Sequence, residues 1–77
     1  MKRQIHFEDN GQDFLSWIID SNGTVIESNP FQTSIWAGNK VIAPDKLEPG
    51  DRVHYISRWT GKAQMIRYQI TAIENLK

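Results

Sequence analysis

Apolar and polar positions alternate along much of this chain, and Gly, Asn, Asp and Pro interrupt the alternation at short intervals. Period-two runs rich in Ile, Val, Thr, Trp, Tyr and Phe predict strands, because successive side chains on an extended backbone point to opposite faces. Gln4 to Glu8 sets Ile5 and Phe7 on one face and Gln4, His6 and Glu8 on the other. Asn10-Gly11 then predicts a tight hairpin, whose two central residues need positive φ. Asp13 to Asp20 is the second predicted strand, with Leu15, Trp17 and Ile19 on one face. The turn Asp20-Ser21-Asn22-Gly23 leads into a third strand, Thr24 to Ser28, so the first third of the chain is a meander.

Asn29-Pro30 ends that ladder, since Pro has no N–H to donate. Phe31 to Gly38 reads as a strand or a short irregular crossing, and Lys40 to Ala43 as a short strand. Leu47, in the loop between Ala43-Pro44 and Glu48-Pro49-Gly50-Asp51, is expected to plug one end of the core. The pattern Leu47-x-Pro49-Gly50-Asp51-x-Val53 delivers an apolar residue inward after a tight turn, a habit of small β-barrels. Arg52 to Trp59 and Ala63 to Ile73 are the last strands, joined by Thr60-Gly61-Lys62; the length of the second predicts a bend or bulge within it. No segment sustains a helical period. The expectation is an all-β fold of five to seven short strands, a small antiparallel barrel or strongly twisted sheet of SH3-like size.

Length and composition narrow the function classes. Seventy-seven residues suffice for one domain, residues 1–77, whose folded surface should be roughly 4,800 Å². The absence of cysteine excludes disulfide scaffolds, zinc ribbons and thiol catalysis. Apolar stretches such as Trp17-Ile18-Ile19 are far short of the roughly 20 residues that span a bilayer. Met1-Lys2-Arg3 is followed by no apolar run of a signal peptide, so a folded cytoplasmic protein without a membrane partner is expected.

Catalytic signals are missing. His6 and His54 are too few for a three-ligand metal site without carboxylates, and no Gly-x-Ser-x-Gly elbow occurs. Thr60-Gly61-Lys62 lacks the preceding Gly and following helix of a phosphate loop, and Asp20 to Gly23 lacks the ligand pattern of a calcium loop. The expectation is a non-catalytic protein with no metal, no cofactor and no small-molecule substrate.

Two features remain once the core is assigned. Val53, Tyr55 and Trp59 share one side of their strand while Ile56 lies with Arg52, His54 and Arg58; Ile66, Tyr68, Ile70 and Ala72 share one side of the last strand, leaving Met65 and Ile73 opposite. Phe14 and Ile18 likewise lie opposite the Leu15-Trp17-Ile19 face. Phe14, Ile18, Ile56 and Met65, with Phe31 and Trp36 at one end, therefore predict an apolar contact patch for a second copy or a protein partner, a larger assembly or an enzyme. Trp17 is expected in the core, and Trp36 and Trp59, beside turns, partly exposed.

Charge is the second feature. Residues 1–51 carry four basic and eight acidic residues, a net of −4, and residues 52–77 carry five basic residues and Glu74, a net of +4. No acid occurs between Arg52 and Ile73. The stretch holding Arg52, Tyr55, Arg58, Trp59, Lys62, Arg67 and Tyr68 interleaves cations with rings, as a single-stranded DNA or RNA surface would, with guanidinium groups for phosphates and rings for bases. The bland counterpart is that the acidic first half pairs with this hairpin across the sheet. Protein binding is the first expectation and nucleic-acid binding the alternative.

Overall fold

The computed structural model of the protein describes residues 1–76. Six strands form one antiparallel sheet: β1 (Lys2–Asp9), β2 (Gln12–Ile19), β3 (Val25–Asn29), β4 (Lys40–Val41), β5 (Arg52–Ile56) and β6 (Ala63–Leu76). A one-turn helix, α1 (Thr33–Trp36), follows β3, and a 3₁₀ turn, Pro44–Lys46, follows β4. The spatial order is β3-β2-β1-β6-β5-β4, so the first and last strands pair at the centre. The sheet is strongly rolled without closing. Its outer strands meet at one end through the bridge between Thr24 and Lys40, with backbone bonds Val25 N–H to Asn39 O (2.8 Å) and Val41 N–H to Gly23 O (2.8 Å). No helix among the described residues is long and apolar enough to cross a membrane.

The β1–β2 hairpin forms as its Asn-Gly pair predicts, with Asn10 at φ 54° and Gly11 at φ 80°. The second turn is organised differently: Asp20 Oδ1 accepts the backbone N–H of Asn22 (2.9 Å) and of Thr24 (3.0 Å). Ile5 pairs with Trp17 on one side and Ile73 on the other; Phe7 pairs with Leu15 and Ile70. These register positions put the alternating apolar residues of three strands on one concave face, where Val25, Val41, Val53, Tyr55 and Ile66 complete the core. Phe7, Trp36 and Tyr55 pack around Trp17 with ring centroids 4.9, 5.1 and 5.9 Å away. Leu47 caps the core from its loop as expected, and Val53 is fully buried behind the Pro49-Gly50 turn. The accessible surface is 4877 Å², close to the scaling expectation.

Several boundaries and faces depart from simple alternation, each for a local reason. Phe31 to Gly38 is no strand: beyond Pro30 the chain makes the single turn α1, too short to leave a period in the sequence. β4 stops at Val41 because Ala43 takes φ 50° and starts the 3₁₀ turn. β5 stops at Ile56, so Trp59 lies in the turn and does not share the inward side of Val53 and Tyr55. β6 runs on to Leu76 because β1 supplies it with a second ladder.

Single extra residues shift the registers. Phe14 is extra in β2, Ile26 in β3 and Thr71 in β6. One inserted residue reverses which face every later side chain takes. Past Thr71, therefore, Ile73 packs on the core and Ala72 is exposed, the reverse of the alternation expected from Ile66 onward. The bend expected in the last strand is present: besides Thr71, residues 66–68 stand opposite the single residue Val53.

Candidate interaction surfaces

The β5–β6 turn carries the most exposed aromatic side chain of the molecule, Trp59, at 68 % exposure. It is fixed by a dense set of bonds. Buried Ser57 gives its N–H to Lys62 O (3.0 Å) and receives Gly61 N–H (2.7 Å), while its Oγ accepts the N–H of Trp59 (3.2 Å) and of Thr60 (3.4 Å). Arg58 is held just as firmly. Its N–H donates to the side chain of buried Asn39 (2.9 Å), its Nη2 donates to Ser34 O (2.8 Å), and its guanidinium lies 4.1 Å from the Trp59 ring centroid. The Arg58 stem crosses Gly38, where a Cβ would come within 2.7 Å of Arg58 Cδ. Trp59 Nε1 reaches Ile35 O at 3.5 Å, and Ile35 is itself 49 % exposed. The result is a braced rim of Trp59, Ile35 and the Arg58 guanidinium, joining the β5–β6 turn to α1.

The six residues expected to form one apolar patch lie on two sides of the sheet. Phe14, as the extra residue of β2, turns toward the core rim; its ring lies 4.7 Å from Tyr68 and 5.5 Å from Phe31. Trp36 is directed inward against Trp17 and Tyr55, with its Nε1 donating to Gln32 Oε1 (3.0 Å). Ile18, between Gln4 and Glu27, is half-buried on the convex face. Ile56 and Met65 share that face on adjacent strands: Ile56 pairs with Ala63, two positions before Met65. Phe31 is 41 % and Met65 52 % exposed.

The residues of the basic hairpin are also divided. Tyr55 is buried and its hydroxyl donates to Gln64 Oε1 (3.0 Å), so neither ring face is open to a base. Burial raises its phenol above the ordinary value near 10. Tyr68 is half-buried against Phe14, and Arg58 is committed to Ser34 and Trp59. Arg52, Lys62 and Arg67 are exposed, the Arg67 guanidinium lying 5.3 Å from the Tyr68 ring centroid. The acidic first half does not neutralise this hairpin by contact. Among the described residues the one contact of ion-pair geometry is between His6 Nε2 and Glu74 Oε1, 3.0 Å apart, on β1 and β6.

Two shallow depressions border these residues. A groove of about 540 Å³ is lined by Ile42, Leu47 and Met65 together with Lys46, Arg52 and His54. A polar cleft of about 320 Å³ is lined by Glu8, Asp9, Arg52, Arg67 and Tyr68. Among the described residues no three His, Cys, Asp or Glu side chains gather as metal ligands would.

Ile35, Asn39 and Ser57 carry the rim and were not legible as site residues. Asn39 and Ser57 are single polar residues in turn-rich stretches, and only the fold shows that they are buried and bonded. No family model, curated protein or solved structure matches this chain.

Proposed function

We propose that this protein is a non-catalytic protein-interaction module that docks through the rim of Trp59, Ile35 and Arg58. One observation carries the reading: Trp59 stays 68 % exposed while Arg58 packs on its ring and its Nε1 reaches Ile35 O. Immobilising an exposed side chain normally opposes binding by about 0.5–1.5 kcal/mol, and contacts that already brace the ring reduce that cost. Trp and Arg are also the side chains that most often dominate interface energetics. No cofactor or small substrate enters this reading.

The test is photo-crosslinking from a benzophenone amino acid at position 35 in cells, combined with sedimentation velocity on the purified chain. A discrete crosslinked product, or a dimer, that disappears in Trp59→Ala while the unfolding midpoint is kept supports the module. Identical crosslinks in both proteins, with both monomeric, overturn it.

The exposed, unpaired Arg52, Lys62 and Arg67 favour single-stranded nucleic acid as the alternative partner. That reading expects a labelled oligonucleotide to bind with steep salt dependence and to quench Trp59, and Arg67→Glu to abolish binding.

A further inference from the structure

β6 serves two neighbours in turn. Its pairing with β1 ends at Glu8–Gln69, whereas its pairing with β5 runs from Gln69 back to Ala63. The first half of β6 therefore has β5 on one side and, among the described residues, no strand on the other. The direction of its backbone groups is fixed at the near end, where Lys62 O accepts from Ser57 N–H (3.0 Å) and the regular register Ile56–Ala63, Tyr55–Gln64 and His54–Met65 follows. Groups alternate along a strand, so Gln64 faces β5, and the N–H and C=O of Ala63 and Met65 face the open side. The β3 edge, by contrast, is sealed. Thr33 Oγ1 accepts from Ser28 N–H (3.0 Å) and donates to Ser28 O (2.8 Å), using one hydroxyl to occupy both groups.

The surroundings of the open edge are specific. On the convex face lie Arg67 and, beside Gln69, Arg52; Lys62 stands at the near end, and no acid occurs from residue 52 to residue 73. On the concave face the half-buried rings of Tyr68 and Phe14 continue to exposed Phe31. A second copy pairing edge to edge would set one basic hairpin against another, which like-charge repulsion opposes. Glu8 and Asp9 line the cleft with Arg52 and Arg67, whereas no acid stands among residues 62–67, so added carboxylates fit the edge from Arg67 toward Lys62, away from that cleft.

We propose that the free edge of β6 at Ala63 and Met65 takes up an extended segment of a partner protein in which acidic and apolar residues alternate. Its backbone completes four hydrogen bonds to these two residues, in the manner of strand addition. Its carboxylates lie along Arg67 and Lys62, and its apolar side chains lie on Tyr68, Phe14 and Phe31. This surface is separate from the Trp59 rim, and the proposal stands without it.

The experiment uses two fluorescein-labelled octapeptides, one of alternating Glu and Val and one of alternating Lys and Val, followed by fluorescence anisotropy. The Glu peptide should bind at least about tenfold more tightly than the Lys peptide. Met65→Pro removes an outward N–H that no neighbouring strand uses, the setting in which edge strands accept Pro. It should weaken binding at least about tenfold, while Met65→Ala, which restores the N–H, should stay within about threefold of the original. A readout that needs no variant is amide hydrogen exchange. The N–H groups of Ala63 and Met65 should exchange fast in the free protein and become protected on adding the Glu peptide, with Gln64 protected throughout.

Equal binding of the two peptides, unchanged exchange at Ala63 and Met65, or binding indifferent to a folded Met65→Pro protein overturns the proposal. So does a dimer that Met65→Pro dissolves, because the edge then belongs to a second copy. Tighter binding of a 15-mer of thymidylate than of the Glu peptide, unaffected by Met65→Pro, overturns it in favour of nucleic acid.

Discussion

Three tryptophans occupy three different environments, and the neighbours of each define its physical role. Trp17 is fully enclosed and touches three aromatic rings; Trp36 closes the core from α1; Trp59 stands outside, braced by Arg58. Trp17→Ala should destabilise the fold by about 3–5 kcal/mol, since it removes the largest buried side chain and leaves a cavity. Trp59→Ala should stay within about 1 kcal/mol, because little beyond the cation–π contact is lost. Urea unfolding of the two variants checks the contrast. Tyr55 supplies a pH signature. Its phenol is raised by burial, so the folded state holds the proton at a pH where the unfolded chain has released it. Stability from this group is fully present below about pH 10 and is lost as the pH rises through the folded value. Tyr55→Phe should therefore flatten the alkaline fall in stability, measured as unfolding free energy between pH 9 and 11. The alternation made Trp17 legible as core, and Trp59 legible as exposed through its neighbouring turn. Trp36 is partly exposed, as its neighbouring turn predicts, but its packing against Trp17 depends on a helix turn of four residues that the alternation does not show.

Elements divide by whether their signal is local. The β1–β2 hairpin was readable because its register is set by two turn residues that accept positive φ and by apolar residues two apart. α1 was not readable, and neither was its second task of sealing the β3 edge through Thr33. Thr33→Val removes both bonds to Ser28 while keeping the shape of the side chain. It should cost about 1–3 kcal/mol, read by urea unfolding. The freed edge should also raise the tendency to aggregate, read by light scattering. Bulges set the remaining limit on the sequence reading. Phe14 and Thr71 each reverse the face taken by the residues after them, and an extra residue in a strand is defined only against its partner. For that reason alternation alone puts Phe14 on an outer patch, whereas it belongs to the aromatic cluster with Tyr68 and Phe31.

Across the molecule as a whole, chain ends hold the sheet together. β1 is flanked by β2 and by β6, so residues separated by most of the chain, such as Ile5 and Ile73, are neighbours. Deleting residues 70–77 should unfold the entire domain rather than fray one end, because β1 loses one of its two ladders and the core loses Ile70 and Ile73. Far-ultraviolet circular dichroism and amide dispersion in a proton NMR spectrum read this directly. The charge imbalance also acquires meaning only at this scale. Acidic and basic halves of a chain can neutralise one another by contact, yet here the basic hairpin stays exposed and unpaired beside an open sheet edge.

Local pattern alone was enough for the all-β class, the strand-rich meander at the start, the first hairpin, and the core identity of Ile5, Phe7, Leu15, Trp17 and Ile19. Each of these rests on contacts or φ preferences within a few residues, so a period of two and the identity of turn residues suffice. The bend of β6 between two partners, the locking of the Trp59 turn by Asn39 and Ser57, and the separation of the candidate binding residues onto two faces emerged only with the three-dimensional arrangement. Those outcomes depend on which strand lies beside which. Pairing over sixty residues of intervening chain, as between Ile5 and Ile73, leaves no local mark in composition or periodicity.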